Sequence, residues 1–119
     1  MKLFYSLILF SSLLMVSCSG ETSAYYQHVS PNGKVKVNVE GHRATAIESW
    51  KVDMKVNAYD FKEGKLSFEI YAKNLNKDNI TFTWSDERNC IITIKQQDNS
   101  DRKFQLIASA EQLQLGEVQ

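Results

Sequence analysis

The chain of 119 residues has no excess of charge of one sign, since 14 Lys and Arg residues balance 14 Asp and Glu residues. Nucleic-acid-binding proteins, in contrast, carry a basic patch or stripe. The chain also has only two cysteines and two histidines, and it has neither a Cys-x-x-Cys nor a His-Glu-x-x-His metal motif. These absences argue against nucleic acid, a polyanionic partner, a metal ion and a cofactor.

Long apolar runs are missing as well. The most apolar segment, 3–16, has 14 residues and is interrupted only by three serines, whereas a membrane-spanning helix needs about 20 apolar residues. Lys2 precedes this segment, and the sequence turns polar from Ser19 onward. A basic start, a short apolar core and small residues before a cleavage point predict a secretory signal peptide over residues 1–17.

The end of this leader, Met15-Val16-Ser17-Cys18, resembles the lipobox of bacterial lipoproteins. The resemblance implies that the sulfur of Cys18 takes a diacylglyceryl group, that the leader is cut away and that the new amino terminus receives an acyl chain such as palmitate. Ser19, in the place where Asp would retain the protein at the inner membrane, implies sorting to the outer membrane, at either face. The alternative is an ordinary signal peptide cut nearby, with Cys18 incidental.

If Cys18 is lipidated, Cys90 has no partner for a disulfide. Cys90 lies in an apolar run over residues 90–94, where a cysteine is usually a small buried hydrophobe. Residues 18–30 are small and polar without a sustained period, which predicts a lipid-anchored tether that contains His28. Ser30-Pro31-Asn32-Gly33 fits a type I turn. We therefore predict one folded domain over residues 31–119.

Apolar and polar residues then alternate with period two, which is typical of antiparallel sheets with one buried face. The predicted inward residues form six sets: Val35, Val37 and Val39; Trp50, Val52, Met54, Val56 and Ala58; Leu66, Phe68, Ile70 and Ala72; Ile80, Phe82 and Trp84; Cys90, Ile92 and Ile94; and Phe104, Leu106 and Ala108. Turns rich in Asn, Asp and Ser separate them. The pattern predicts an all-β fold, a single antiparallel immunoglobulin-like β-sandwich of about seven strands.

Two local structures can be predicted in more detail. On both flanks of 62–64 the inward residues have even numbers, so paired positions must sum to an even number. A three-residue loop over 62–64, with Gly64 in the left-handed conformation, satisfies this condition and sets Asp53 opposite Lys73. Near the end of the chain, Leu113 and Leu115 alternate like a strand, although Ser109 and Gln112 fit the start of a short helix. We predict the strand.

The sequence offers few groups for catalysis, and we predict that the protein is not an enzyme. His42 is expected in a loop, and Trp84 is expected to anchor the core. The outward aromatic residues are candidates for a contact patch, although a loop or the tether could instead cover that face. The candidate binding residues are Tyr59, Phe61, Tyr71 and Lys55, with Lys55 opposite Tyr71.

Three segments of the chain, 66–74, 80–85 and 90–94, resemble the BsuPI-type intracellular proteinase inhibitors. The resemblance implies an immunoglobulin-like domain, and it makes protease inhibition through a loop such as 85–89 one candidate function. Our leading hypothesis is a lipid-anchored envelope protein that serves as a non-enzymatic interaction, accessory or assembly module for a protein partner. The alternatives are a BsuPI-like proteinase inhibitor and a glycan or small-ligand binder that uses the outer aromatic residues.

Overall fold

A computed structural model describes residues 22–59 and 62–118. The predicted leader, Cys18 and Phe61 lie outside these residues. The described chain forms eight strands: β1 (Thr22–Val29), β2 (Val35–Arg43), β3 (Trp50–Ala58), β4 (Lys62–Ile70), β5 (Ile80–Trp84), β6 (Asn89–Lys95), β7 (Asp101–Ala108) and β8 (Leu113–Val118). Among these residues no helix has the length and apolar character needed to cross a membrane.

The strands form two antiparallel sheets of four, in the orders β1-β2-β3-β4 and β5-β6-β7-β8. The predicted all-β sandwich is therefore confirmed, with eight strands in place of about seven. Immunoglobulin domains interleave their strands between the sheets through Greek-key connections, whereas here each sheet takes four consecutive strands. The immunoglobulin-like part of the prediction is not confirmed.

The predicted inward residues line the space between the two sheets. Most of them are buried, including all those of β2, β3, β6 and β7, while Leu66, Phe68, Phe82 and Trp84 are half-buried and pack against the core from the edge strands. Removal of this alternating apolar face from water is the main force that holds two sheets together. The connection between the sheets adds a buried side chain of its own, Leu75.

The predicted tether is in part an edge strand. Residues 22–29 pair along their full length with β2, from Thr22 opposite Arg43 to Val29 opposite Lys36. The folded domain therefore begins by Thr22 and not at Pro31. The predicted turn follows β1 directly, and Gly33 donates its backbone N–H to the carbonyl of Ser30 at 2.9 Å.

The hairpin of β3 and β4 has a different register from the predicted one. Ala58 pairs with Lys62, so three positions separate the paired residues, and the connection comes three positions earlier than predicted. Asp53 lies opposite Ser67, not Lys73, and accepts the Ser67 hydroxyl at 2.6 Å. The parity rule and the loop length were correct, but the loop position was wrong.

The tail forms strand β8, as predicted in preference to a helix. Ser109 still acts as a local acceptor, because its hydroxyl takes the backbone N–H groups of Glu111 and Gln112 at 3.3 and 3.2 Å. The polar sequence that resembled a helix start therefore builds the turn between β7 and β8.

The sandwich has two ends, which we name after one residue each. The Thr22 end carries the start of β1, loop 44–49, the crossover 71–79, turn 96–100 and the end of β8. The Trp84 end carries turns 30–34, 85–88 and 109–112. The sheets are aligned at the Thr22 end, where the backbone N–H of Gln97 donates to the carbonyl of Tyr71 at 3.0 Å.

Candidate functional site

Three rings meet between the edge strands β1 and β5 near the Trp84 end. The imidazole of His28 stacks on the ring of Phe82, with centroids 3.9 Å apart and planes only 4° from parallel. It also lies 6.2 Å from the Trp84 ring, at an interplanar angle of 18°. The indole N–H of Trp84 donates to Nε2 of His28 at 2.9 Å. The strands that open each sheet are thus joined by a stacked aromatic contact and a hydrogen bond.

The hydrogen bond fixes the protonation state of His28. An indole N–H can only donate, so Nε2 of His28 must accept and the imidazole is neutral with its proton on Nδ1. Burial lowers the pKa of His28 below its ordinary value of 6.5, because the charged form loses water in this setting. At neutral pH the ring is therefore held uncharged between two aromatic side chains.

The turn after Trp84 is organised by one carboxylate. Oδ1 of Asp86 accepts the backbone N–H groups of Arg88 and Asn89 at 2.7 and 2.8 Å, and the Asn89 amide donates to both carboxylate oxygens. These hydrogen bonds, first the one from the Arg88 backbone, lower the pKa of Asp86. The carboxylate is thus a fixed negative charge that holds the turn in one conformation.

A cleft of about 250 Å³ opens where this turn meets the first turn of the domain, and it is lined by Pro31, Asn32, Trp84, Asp86 and Glu87. Trp84 and Pro31 supply apolar surface, and the two carboxylates stand beside it. The Asp86 carboxylate is used by hydrogen bonds within its own turn. Glu87 is exposed and makes no hydrogen bond or ion pair within the described chain.

The lining offers groups that can bind a ligand. An aromatic face beside carboxylates can hold a cationic or amide-bearing group by stacking, cation–π attraction and charge. The five lining residues are one proline, one asparagine, one tryptophan and two carboxylic acids. Within residues 22–59 and 62–118, no three His, Cys, Asp or Glu side chains are grouped so that they could hold a metal ion.

The candidate patch predicted from the outer aromatic residues is dispersed in the structure. Lys55 lies opposite Lys65, not Tyr71, and its Nζ pairs with Glu40 at 3.2 Å. Tyr59 packs partly against the core at the Trp84 end, while Tyr71 is 59% exposed at the Thr22 end. Lys55 does line an open hollow of about 520 Å³ on the outer face, together with residues of β4 and not with the tyrosines. Phe61 is outside the described residues.

The other residues singled out in the sequence have defined places. Cys90 is buried, as predicted, and this burial raises the pKa of its thiol to about 12. His42 lies within β2 and not in a loop, and its Nδ1 is 3.1 Å from the Ser23 hydroxyl. Trp84 packs against the core, as expected of an anchor, but it also lines the cleft. Cys18 is outside the described residues.

Comparisons of the chain with protein-family models, with curated protein sequences and with solved structures gave no match.

His28 is the residue of this site that the sequence interpretation missed, because it was assigned to a tether. One signal could have revealed it. In β1, Ala24, Tyr26 and His28 face inward and are half-buried. The residues between them, Ser23, Tyr25 and Gln27, are exposed. These inward residues are less apolar than those of the central strands, because an edge strand buries its inner face only in part.

Proposed function

We propose that the chain is a bacterial lipoprotein, held in the cell envelope by acyl chains on Cys18, and that its sandwich is a non-enzymatic module that binds a protein partner. The lipobox-like segment supports the anchor. Because Ser19 follows the cysteine, we propose the outer membrane as its location. Two or more acyl chains are needed for stable anchoring, since a single chain binds only marginally.

The observation that carries the proposal is that the predicted anchor and the cleft lie at opposite ends of the sandwich. Cys18 is only four positions before Thr22, so the anchor adjoins the Thr22 end. The Trp84 cleft opens at the other end. If the domain is anchored at the Thr22 end, its Trp84 cleft would face away from the membrane. The free carboxylate of Glu87 beside Trp84 favours a partner that brings a lysine or arginine side chain.

Site-directed photocrosslinking in intact cells tests this proposal. A photoreactive residue at Glu87 is compared with one at Gln105, an exposed position on the outer face of β7. We expect one discrete protein adduct from position 87 and none from position 105. Trp84→Ala should abolish the adduct, whereas Thr81→Ala, at an exposed position of the same strand, should not.

Two other results would contradict the proposal. If neither position gives an adduct and the purified protein inhibits proteases at stoichiometric amounts, the chain is an inhibitor, as its BsuPI-like segments allow. If the tryptophan fluorescence responds to sugars at micromolar concentrations in the wild type but not in Trp84→Ala, and no protein adduct forms, the cleft is a glycan site.

A further inference from the structure

The loop between β2 and β3 presents an isoleucine to solvent. Ile47 is 87% exposed, more than any other large hydrophobic residue in the described chain. It lies within a turn that Glu48 closes by donating its backbone N–H to the carbonyl of Thr45 at 3.3 Å. Such turns usually carry Gly, Asn, Asp or Ser. The backbone does not require an isoleucine there.

The loop is braced against the core. Arg43 donates from Nη1 to the carbonyl of Ala46 at 3.2 Å, and its guanidinium lies 4.0 Å from the centre of the Trp50 ring. Trp50 is buried, and its indole N–H donates to the carbonyl of Ala72 at 2.9 Å. Ile47 is therefore carried by a loop that is already ordered, which lowers the entropic cost of seating its side chain in a partner surface.

The position of the loop identifies the surface it meets. Arg43, which precedes the loop, pairs with Thr22, the first residue of β1. Four backbone steps join Thr22 to Cys18, and at full extension they span at most about 14 Å. An acylated Cys18 would hold Thr22 within that distance of the lipid, and the Ile47 loop follows directly after the strand partner of Thr22.

Other exposed apolar groups occur at the same end. Tyr71 and Val118 are 59% and 43% exposed, and both lie at the Thr22 end. The other two exposed large hydrophobic residues, Tyr25 in the middle of β1 and Val29 at its far end, lie elsewhere. Tyrosine is enriched where hydrocarbon meets headgroups. The three side chains at the Thr22 end come from three different segments of the chain. Three side chains are few against the roughly 20–30 residues and about 800 Å² per partner that a stable protein interface buries, which makes a second copy of the chain a poor occupant.

We infer that the Thr22 end of the sandwich rests on the bilayer surface, with the side chain of Ile47 seated in the lipid interface; this inference rests on the proposed anchor at Cys18. The anchor and Ile47 then form two contacts with the same membrane. The domain is oriented with its Trp84 cleft outward and does not tumble freely on its short connection.

Fluorescence quenching tests the inference on the full-length acylated protein in phosphatidylethanolamine–phosphatidylglycerol vesicles that contain spin-labelled lipid. An environment-sensitive fluorophore is attached to Ile47→Cys, and in the control to Glu111→Cys, an exposed position at the Trp84 end. The protein without either substitution reports any labelling of buried Cys90. We expect a blue-shifted emission and at least threefold stronger quenching at position 47 than at position 111.

Each other outcome overturns the inference in a distinguishable way. Equal, weak quenching at both positions, with the protein still floating with the vesicles, would leave the anchor intact and remove the contact of Ile47 with lipid. A blue-shifted probe at position 47 that spin-labelled lipid does not quench would assign the loop to a protein or to a second copy. Acylated protein that does not float at all would contradict the anchor and the inference together.

Discussion

The indole N–H of Trp84 donates to Nε2 of His28 across a distance of 2.9 Å, and this bond joins residues 56 positions apart on the first strands of the two sheets. Phe82 completes the contact by stacking on the imidazole. The bond exists only while His28 is neutral, because a protonated imidazole has no acceptor nitrogen. The edge that supports the cleft is therefore sensitive to pH.

We predict that acid weakens the fold through His28. The pKa of His28 is lowered in the folded state by burial, so between the folded value and the ordinary value of 6.5 the unfolded chain binds more protons. The free energy of unfolding should therefore be fully retained above about pH 6.5 and fall as the pH drops below it. Urea unfolding between pH 8 and pH 5 measures this slope.

His28→Gln tests the assignment, since glutamine can still accept the indole hydrogen bond but does not titrate. We expect the variant to lose part of the pH dependence between pH 7 and pH 5. His42→Gln, which removes the other histidine at an exposed position, is the matched control. A slope in His28→Gln that equals the wild-type slope would show that His28 is not the responsible group.

Gly41 is predicted to be intolerant of any side chain. A Cβ at this position would lie 3.0 Å from Cε3 of Trp50 and would collide with Leu75, both of which are buried. We expect Gly41→Ala to lower the free energy of unfolding by about 1–3 kcal/mol, the usual cost of overpacking a core. Gly116→Ala is the control, because nothing lies within 4 Å of a Cβ there. It should change stability by less than about 0.5 kcal/mol.

Arg102 is predicted to stabilise the edge of the sandwich where β4 and β8 meet, because its guanidinium group donates hydrogen bonds to both strands. Its Nε and Nη2 donate to the Glu117 carboxylate at 2.8 and 2.7 Å, its Nη1 donates to the carbonyl of Glu69, and its guanidinium lies 5.2 Å from the Phe68 ring. Lysine cannot reproduce this two-pronged contact. Arg102→Lys should therefore cost about 1–2 kcal/mol of unfolding free energy.

The control for Arg102 is Arg88→Lys, at an exposed turn position, for which we expect a change of less than about 0.5 kcal/mol. Equal stabilities of the two variants in urea unfolding would mean that the contacts of Arg102 add nothing to the fold.

Cys90 is predicted to be inert in the native protein. Its side chain is 1% exposed, and burial raises its thiol pKa to about 12, so the reactive thiolate is scarce at pH 8. A disulfide reagent added at pH 8 should modify Cys90 only after urea unfolds the domain. Complete modification within minutes under native conditions would contradict the buried position.

The alternation of apolar residues was enough to predict which side chains face the core in six of the eight strands. It could not fix the hairpin register, because the predicted and observed pairings both sum to even numbers, as with Asp53 and Lys73 against Asp53 and Ser67. Gly64 was assigned to the turn because glycine suits left-handed backbone. It instead lies within β4, where a Cβ would come within 3.0 Å of the Leu113 side chain of β8.

The contacts that build the site were beyond local sequence patterns. His28 and Trp84 meet only because β1 and β5 lie at corresponding edges of the two sheets, and no spacing in the sequence encodes that alignment. Likewise, Leu75 lies in a polar stretch that connects the sheets, yet it is buried beside Gly41. Pairing within a sheet could be predicted in part, whereas packing between the sheets required the structure.

The central claim, an envelope protein held by lipid on Cys18, is tested most directly by palmitate labelling of cells that express the wild-type chain or Cys18→Ser. We expect label on the wild-type protein, recovery in the outer-membrane fraction, and a mature mass that begins at Cys18 with acyl groups attached. Cys18→Ser should carry no label and should leave the membrane fraction. An unlabelled wild-type protein, or a Cys18→Ser variant that stays membrane-bound, would contradict the account.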